Sequence, residues 1–134
     1  MALENEKLIN SITKLIKLTQ EDKIEWFVAP QSEKNMIKNN ENLDGSIFKA
    51  IYKEKILRLY KSRIKVEKND PYAVFVYPEQ KKYGWTVRYR LEIVDDNGNY
   101  VWVFPEANSL SDLFQAVQYQ VSGISTLIDE LLSE

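Results

Sequence analysis

Carboxylates are the main chemical resource of this chain. Glu25, Glu92, Asp95 and Glu106 fall on or beside segments that read as strands, and two carboxyl groups held in one cleft suffice for glycoside hydrolysis. Their spacing brings no two of them together, so solvated strand and turn positions are expected instead. Asp95-Asp96-Asn97-Gly98-Asn99 offers a calcium reading, with Asp95, Asn97 and Asn99 at loop positions one, three and five and Glu106 at position twelve. The pattern fails at position six, where the sharp turn needs glycine and Tyr100 stands, and strands flank it where helices should. A hairpin turn is expected there, with no metal site.

Histidine and cysteine are both absent. That removes the neutral-pH acid/base side chain, the thiolate nucleophile and the best zinc and copper ligands. The four glycines stand isolated at positions 45, 84, 98 and 123, so no glycine-rich phosphate loop exists. No serine sits in a nucleophile elbow. The expectation is a non-enzymatic protein without cofactors.

A basic tract is the most serious rival signal. Lys49, Lys53, Lys55, Arg58, Lys61, Arg63, Lys65 and Lys68 face only Glu54 and Glu67, with Tyr52 and Tyr60 interleaved. Lys53, Lys55, Arg58, Lys61, Arg63 and Lys65 would carry a nucleic-acid interface, cations tracking phosphates and aromatics stacking bases. A solvent-facing strand surface whose lysines discourage edge pairing explains the same residues. Residues 1–29, 30–84 and 85–134 carry net charges of −1, +5 and −6, and the whole chain −2. The pI near 5.3 weighs against nucleic acid.

These side chains need a frame. The 134 residues, 44% hydrophobic and 12% aromatic, suit one globular domain spanning 1–134. Leu8, Ile9, Ile12, Leu15 and Ile16 predict a helix over 4–18, followed by a short strand at 24–28. Pro30 to Asp44 holds little to bury and is expected to be a mobile loop. Residues 46–61 fit two strands turning near Glu54-Lys55, with Phe48, Ala50, Tyr52, Leu57 and Leu59 on one face; they also fit a helix, and β-branched and aromatic content favours strands. Ala73–Tyr77 reads as a further strand and Pro78–Gly84 as a polar loop.

Thr86–Asp95 alternates, and Asn97-Gly98 predicts a type I′ hairpin opposing Asp95 to Tyr100, Ile93 to Trp102 and Leu91 to Phe104. Leu91, Ile93, Tyr100, Trp102 and Phe104 then share one face; Arg88, Arg90, Glu92, Val94, Val101 and Val103 share the other. From Leu110 to Leu132 apolar residues keep one stripe of a single long helix, with Ser109 as N-cap and Gly123 inside it. Close approach of another backbone would account for that glycine.

The expected fold is α+β: an antiparallel sheet of about five to six strands, with the N-terminal helix and the long C-terminal helix packed on one face. Profilin-like folds share this helix–sheet–helix order, an architectural likeness that implies no function. Arg88, Arg90, Val101 and Val103 on the open face, and Tyr119 on the outer side of the last helix, have interface composition. The first expectation is thus a small cytoplasmic protein-interaction domain, with a homo-oligomer as one form of that binding. The nucleic-acid tract is the alternative, and a small-ligand pocket lined by Trp26, Trp85 and Trp102 a second. The first residues are charged and no apolar run is long enough to span a bilayer, so neither a signal peptide nor a membrane partner is expected.

Overall fold

Residues 46–61 form strands and not a helix. The computed structural model describes residues 2–37, 42–68 and 82–134. In chain order these build α1 (Ala2–Gln20), β1 (Trp26–Val28), a 3-10 helix (Gln31–Met36), β2 (Asn42–Leu43), β3 (Phe48–Tyr52), β4 (Lys55–Lys68), β5 (Lys82–Val94), β6 (Tyr100–Val103), α2 (Ser109–Ser122) and α3 (Ile124–Leu132). The strands make one antiparallel sheet in the order β1-β3-β4-β5-β6, with β2 pairing to β4 beyond the end of β3. The class is α+β. The strand expected at Ala73–Tyr77 lies outside the described residues, and Lys82–Gly84, expected in a loop, belong to β5.

The paired row Trp26–Ala50–Leu57–Ile93–Trp102 crosses the whole sheet, and Phe48–Leu59–Leu91 runs beside it. Opposed residues share a face, so these rows build the apolar side. Ile12 and Leu15 of α1 with Leu110, Leu113, Phe114 and Val117 of α2 close the core over it. Fully burying each such side chain is worth about 1.5–3 kcal/mol. Gln120 ties the layers together: its Nε2 donates to the carbonyls of Thr19 (3.1 Å) and Ile24 (2.7 Å), and its Oε1 accepts from the Trp26 amide at 2.7 Å. Gln120→Ala removes this partner from the Trp26 amide and the Ile24 carbonyl, while the Thr19 carbonyl keeps the Asp22 amide, and is expected to cost about 2 kcal/mol, read by urea unfolding.

The type I′ geometry expected at Asn97-Gly98 is not found there. At 95–98 the Gly98 amide donates to the Asp95 carbonyl at 3.0 Å and the Asp95 amide to the Asn99 carbonyl at 2.9 Å. Gly98 has φ +84°, while Asn97 is not among the residues with positive φ. A type I′ turn needs positive φ at both central residues. The loop is therefore a type I turn closed by a glycine bulge, with Asp95 Oδ1 accepting the Asn97 and Asn99 amides. This adds one loop residue, and a second irregularity near Val94 takes the offset out again, so that Ile93 still meets Trp102. Val94 meets Tyr100 instead of Asp95, which moves Tyr100 to the arginine-bearing face.

The two-residue turn lies at Lys53-Glu54, between paired Tyr52 and Lys55, one residue earlier than expected. Lys53 (φ +47°) and Glu54 (φ +69°) both occupy the left-handed region, which costs about 1–2 kcal/mol for a residue with a Cβ. Glu54→Gly is expected to stabilise the protein by about 1 kcal/mol, visible as a rise of a few degrees in Tm.

The long C-terminal helix is two helices. Gly123 stands in the left-handed conformation at φ +67°, its amide donating to the Gln120 carbonyl at 3.3 Å, and the chain leaves in a new direction as α3. No atom lies within 4 Å of where its Cβ would be, so conformation and not close packing explains this glycine. α2 begins at Ser109 with Asn108 preceding it, and the Ser109 hydroxyl is buried without a partner instead of capping.

Candidate functional site

The sheet face away from the helices is not uniformly open. Ala29, Ile37, Leu43 and Ile47 gather over Tyr60, and Lys49 Nζ donates to Glu33 Oε1 at 2.8 Å. The described residues of the expected mobile loop thus cover the Tyr60 end of this face. Their apolar residues are too irregularly spaced to show periodicity. Beside Tyr60 lies a buried ionic network. Arg58 on β4 and Glu92 on β5 are directly opposed, with Arg58 Nε and Nη2 both 2.7 Å from Glu92 Oε1 and Nη1 donating to the Gly98 carbonyl at 2.8 Å. Arg90 Nε meets the other carboxylate oxygen, Oε2, at 2.9 Å.

That network redistributes the predicted interface residues. Arg90 is held by Glu92 and lies 5.4 Å from the Tyr100 ring; Arg88 pairs with Glu106. Val101 is exposed and Val103 half-buried, both on the edge strand β6. Tyr119 is exposed on α2. Since α2 covers the opposite side of the sheet, Tyr119 does not share a face with Arg88, Arg90 and Val103.

The basic tract does not form one surface. Lys53 and Lys55 flank the β3–β4 turn, whereas Arg58 is buried and lost to any phosphate. Lys61 lies 3.6 Å from Asp44 and 5.6 Å from the Phe114 ring centroid. Arg63 stacks 5.3 Å from the exposed Trp85 ring, and Lys65 is paired with Trp85 across the strands. Lys55 and Arg63 are separated along β4 by about 26 Å.

The tryptophans also lie apart. Trp26 is in the core with its Nε1 donating to Thr19 Oγ1 at 3.0 Å, Trp102 stands on the opposite sheet edge against Phe104, and Trp85 lies far along β5. Of the four candidate carboxylates, Glu92 is neutralised by arginines, Asp95 caps its turn, Glu106 pairs with Arg88 and Glu25 is exposed. Among the described residues no three acidic side chains cluster around a cation-sized space.

Two features escaped the sequence reading. The first is α3, the most amphipathic helix, none of whose residues is buried. Leu127, Ile128, Leu131 and Leu132 are 48%, 39%, 63% and 80% exposed. At 100° per residue they share with Ile124 a stripe about 140° wide, and Asp129 and Glu130 flank it on either side. The second is an apolar cleft of about 340 Å³ between α1 and the sheet. Leu15, Leu18, Tyr52, Leu57, Ile93 and Phe104 line it, and Lys14, Lys53 and Lys55 stand at its rim. Hydrophobic periodicity places Leu15, Tyr52, Leu57, Ile93 and Phe104 on core-facing sides and makes no assignment for Leu18; lysines on α1 and at the β3–β4 turn are the available signal.

Comparison with protein-family models, with curated proteins and with solved structures finds no match to this chain. No described helix is long and apolar enough to cross a membrane. What the described residues offer is an α+β body with an exposed leucine stripe on α3 and an open apolar cleft beside α1.

Proposed function

We propose that this chain is a cytoplasmic, non-enzymatic protein-interaction domain whose principal contact element is α3. The supporting observation is the exposure of Leu127, Ile128, Leu131 and Leu132 on the apolar stripe of that helix. An isolated helix of nine residues is marginal in water, and its stability comes from packing an apolar face. Contiguous apolar surface of this kind marks interaction sites on soluble proteins. Val101 with Tyr100 and Val103 on the β6 edge is a smaller secondary area.

Leu127→Asp combined with Leu131→Asp tests the proposal without touching the core, because neither residue is buried. The variant should keep its far-UV circular dichroism and its Tm within about 2 °C while losing the complexes, homomeric or heteromeric, that the wild type forms by sedimentation velocity and by quantitative affinity capture. Identical complexes in both proteins would reject α3 as the contact element. A second reading, single-stranded nucleic acid on the β4–β5 arm, is favoured by the stacking of Arg63 on exposed Trp85. Oligonucleotide titration should then quench tryptophan fluorescence and weaken steeply with salt; an unresponsive signal at low salt would reject it.

A further inference from the structure

We infer that the apolar cleft between α1 and the sheet receives α3 of a second copy of this chain, giving a dimer with reciprocally exchanged C-terminal helices. This rests on the reading of α3 as a contact element and names its partner. Both halves of the contact are present in one chain: among the described residues Leu127, Leu131 and Leu132 of α3 stay exposed and the cleft beside α1 stays open.

The chemistry of the two surfaces matches. Residues 124–134 contain Asp129, Glu130 and Glu134 and no basic residue. The cleft is floored by Tyr52, Leu57, Ile93 and Phe104, its rim carries Lys14, Lys53 and Lys55, and among the described residues no acidic side chain lines it. An amphipathic helix laid apolar side down would seat leucines on the floor and present its flanking carboxylates to the lysines. Trp102, half-exposed and 4.7 Å edge-on to Phe104, extends the floor outward.

Geometry requires a second copy. The α1 residues facing the α2 groove are Ile16, Thr19 and Gln20, whereas those facing the cleft are Ser11, Lys14, Leu15 and Leu18. At 100° per residue the set Ile16, Thr19 and Gln20 is centred roughly 145° around α1 from the set Ser11, Lys14, Leu15 and Leu18. α3, joined directly to the end of α2 through Gly123, therefore emerges on the wrong flank of α1 to enter its own cleft. Each copy has one such helix and one such cleft, so mutual insertion closes with two-fold symmetry and leaves no open end. The left-handed glycine between α2 and α3 supplies the change of direction that exchange needs.

Light scattering coupled to size exclusion tests this. The wild type at about 100 µM should show twice the 15.7 kDa chain mass, dissociating on dilution. Lys14→Glu, Lys53→Glu and Lys55→Glu together, all exposed positions, should raise the dimer Kd at least tenfold. Adding Asp129→Lys and Glu130→Lys to that variant should return the Kd to within a few-fold of wild type, whereas adding the same two charge reversals away from both surfaces, Glu25→Lys and Asp96→Lys, should not. A monomer at 100 µM, a dimer indifferent to the lysine changes (α3 pairing with α3), an unrescued triple variant, or a monomer whose cleft carries an alkyl carboxylate by native mass spectrometry would each overturn the inference. If the lysine changes are silent while Leu127→Asp with Leu131→Asp still abolishes complexes, the exchange fails and the contact role of α3 stands.

Discussion

Glu92→Ala is expected to destabilise the protein by about 3–5 kcal/mol, lowering Tm by roughly 10–20 °C. Glu92 and Arg58 side chains are 1% and 4% exposed, and the carboxylate is the shared anion of two arginines. Deleting it leaves a buried guanidinium whose remaining bond within this network is to the Gly98 carbonyl. The penalty comes from stranding a charge away from water and not from the intrinsic worth of the pair, because the attraction of a buried pair is largely offset by desolvation. A double variant separates the two effects. Arg58→Met with Glu92→Leu removes both charges at comparable volume and should recover most of the loss, so the coupling between the two changes is large. Chemical unfolding of the wild type, both single variants and the double variant measures it; a Glu92→Ala loss below about 1 kcal/mol would show that water reaches Arg58.

The helix–sheet–helix order, the strands at 46–61 and the apolar face built on Leu57, Leu59, Leu91 and Ile93 were legible because each side chain there follows one period. The Arg58–Glu92 pair was not, because it depends on the register between β4 and β5, and no turn signal among the residues joining them fixed that register. The hairpin at 95–98 shows how register can survive a wrong turn type. Asn97-Gly98 does mark a turn, yet glycine serves there as the bulge residue, and Ile93 meets Trp102 only because the later irregularity cancels the extra loop residue. The end of the long helix was misread for a related reason. Residues 110–132 keep one apolar stripe across Gly123, and the cost of a mid-helix glycine, about 1 kcal/mol relative to Ala, is too small to outweigh a continuous pattern. A glycine in the left-handed region breaks the axis without breaking the pattern, which is why α3 is amphipathic while none of its residues is buried. Tyr119, Arg88, Arg90, Val101 and Val103 were selected by residue type, and residue type could not show that Tyr119 lies on the other side of the molecule or that both arginines have acidic partners.

Phe114→Ala should cost about 3–5 kcal/mol, comparable to the loss of Glu92 but by a different route. Phe114 is buried at the centre of the helix–sheet interface. Its ring lies 5.5 Å from Phe48 at an interplanar angle of 68° and 5.3 Å from Tyr89, and Lys61 Nζ approaches it. It therefore bridges β3, β4 and β5 from one point on α2, and the strands on three sides limit how far the site can collapse around a cavity. Phe114→Leu keeps much of the volume and should cost less than half as much, whereas loss of the edge-to-face contacts is common to both variants. Because α3 is attached to the body through α2, a loosened α2 changes where α3 is presented. Phe114→Leu, still folded at 25 °C, should weaken any α3-dependent complex although residue 114 is buried away from that surface. Unfolding curves together with complex mass for the two variants decide between these outcomes. A Phe114→Ala cost under about 2 kcal/mol would show that α2 is held mainly by Leu110, Leu113 and the Gln120 hydrogen bonds.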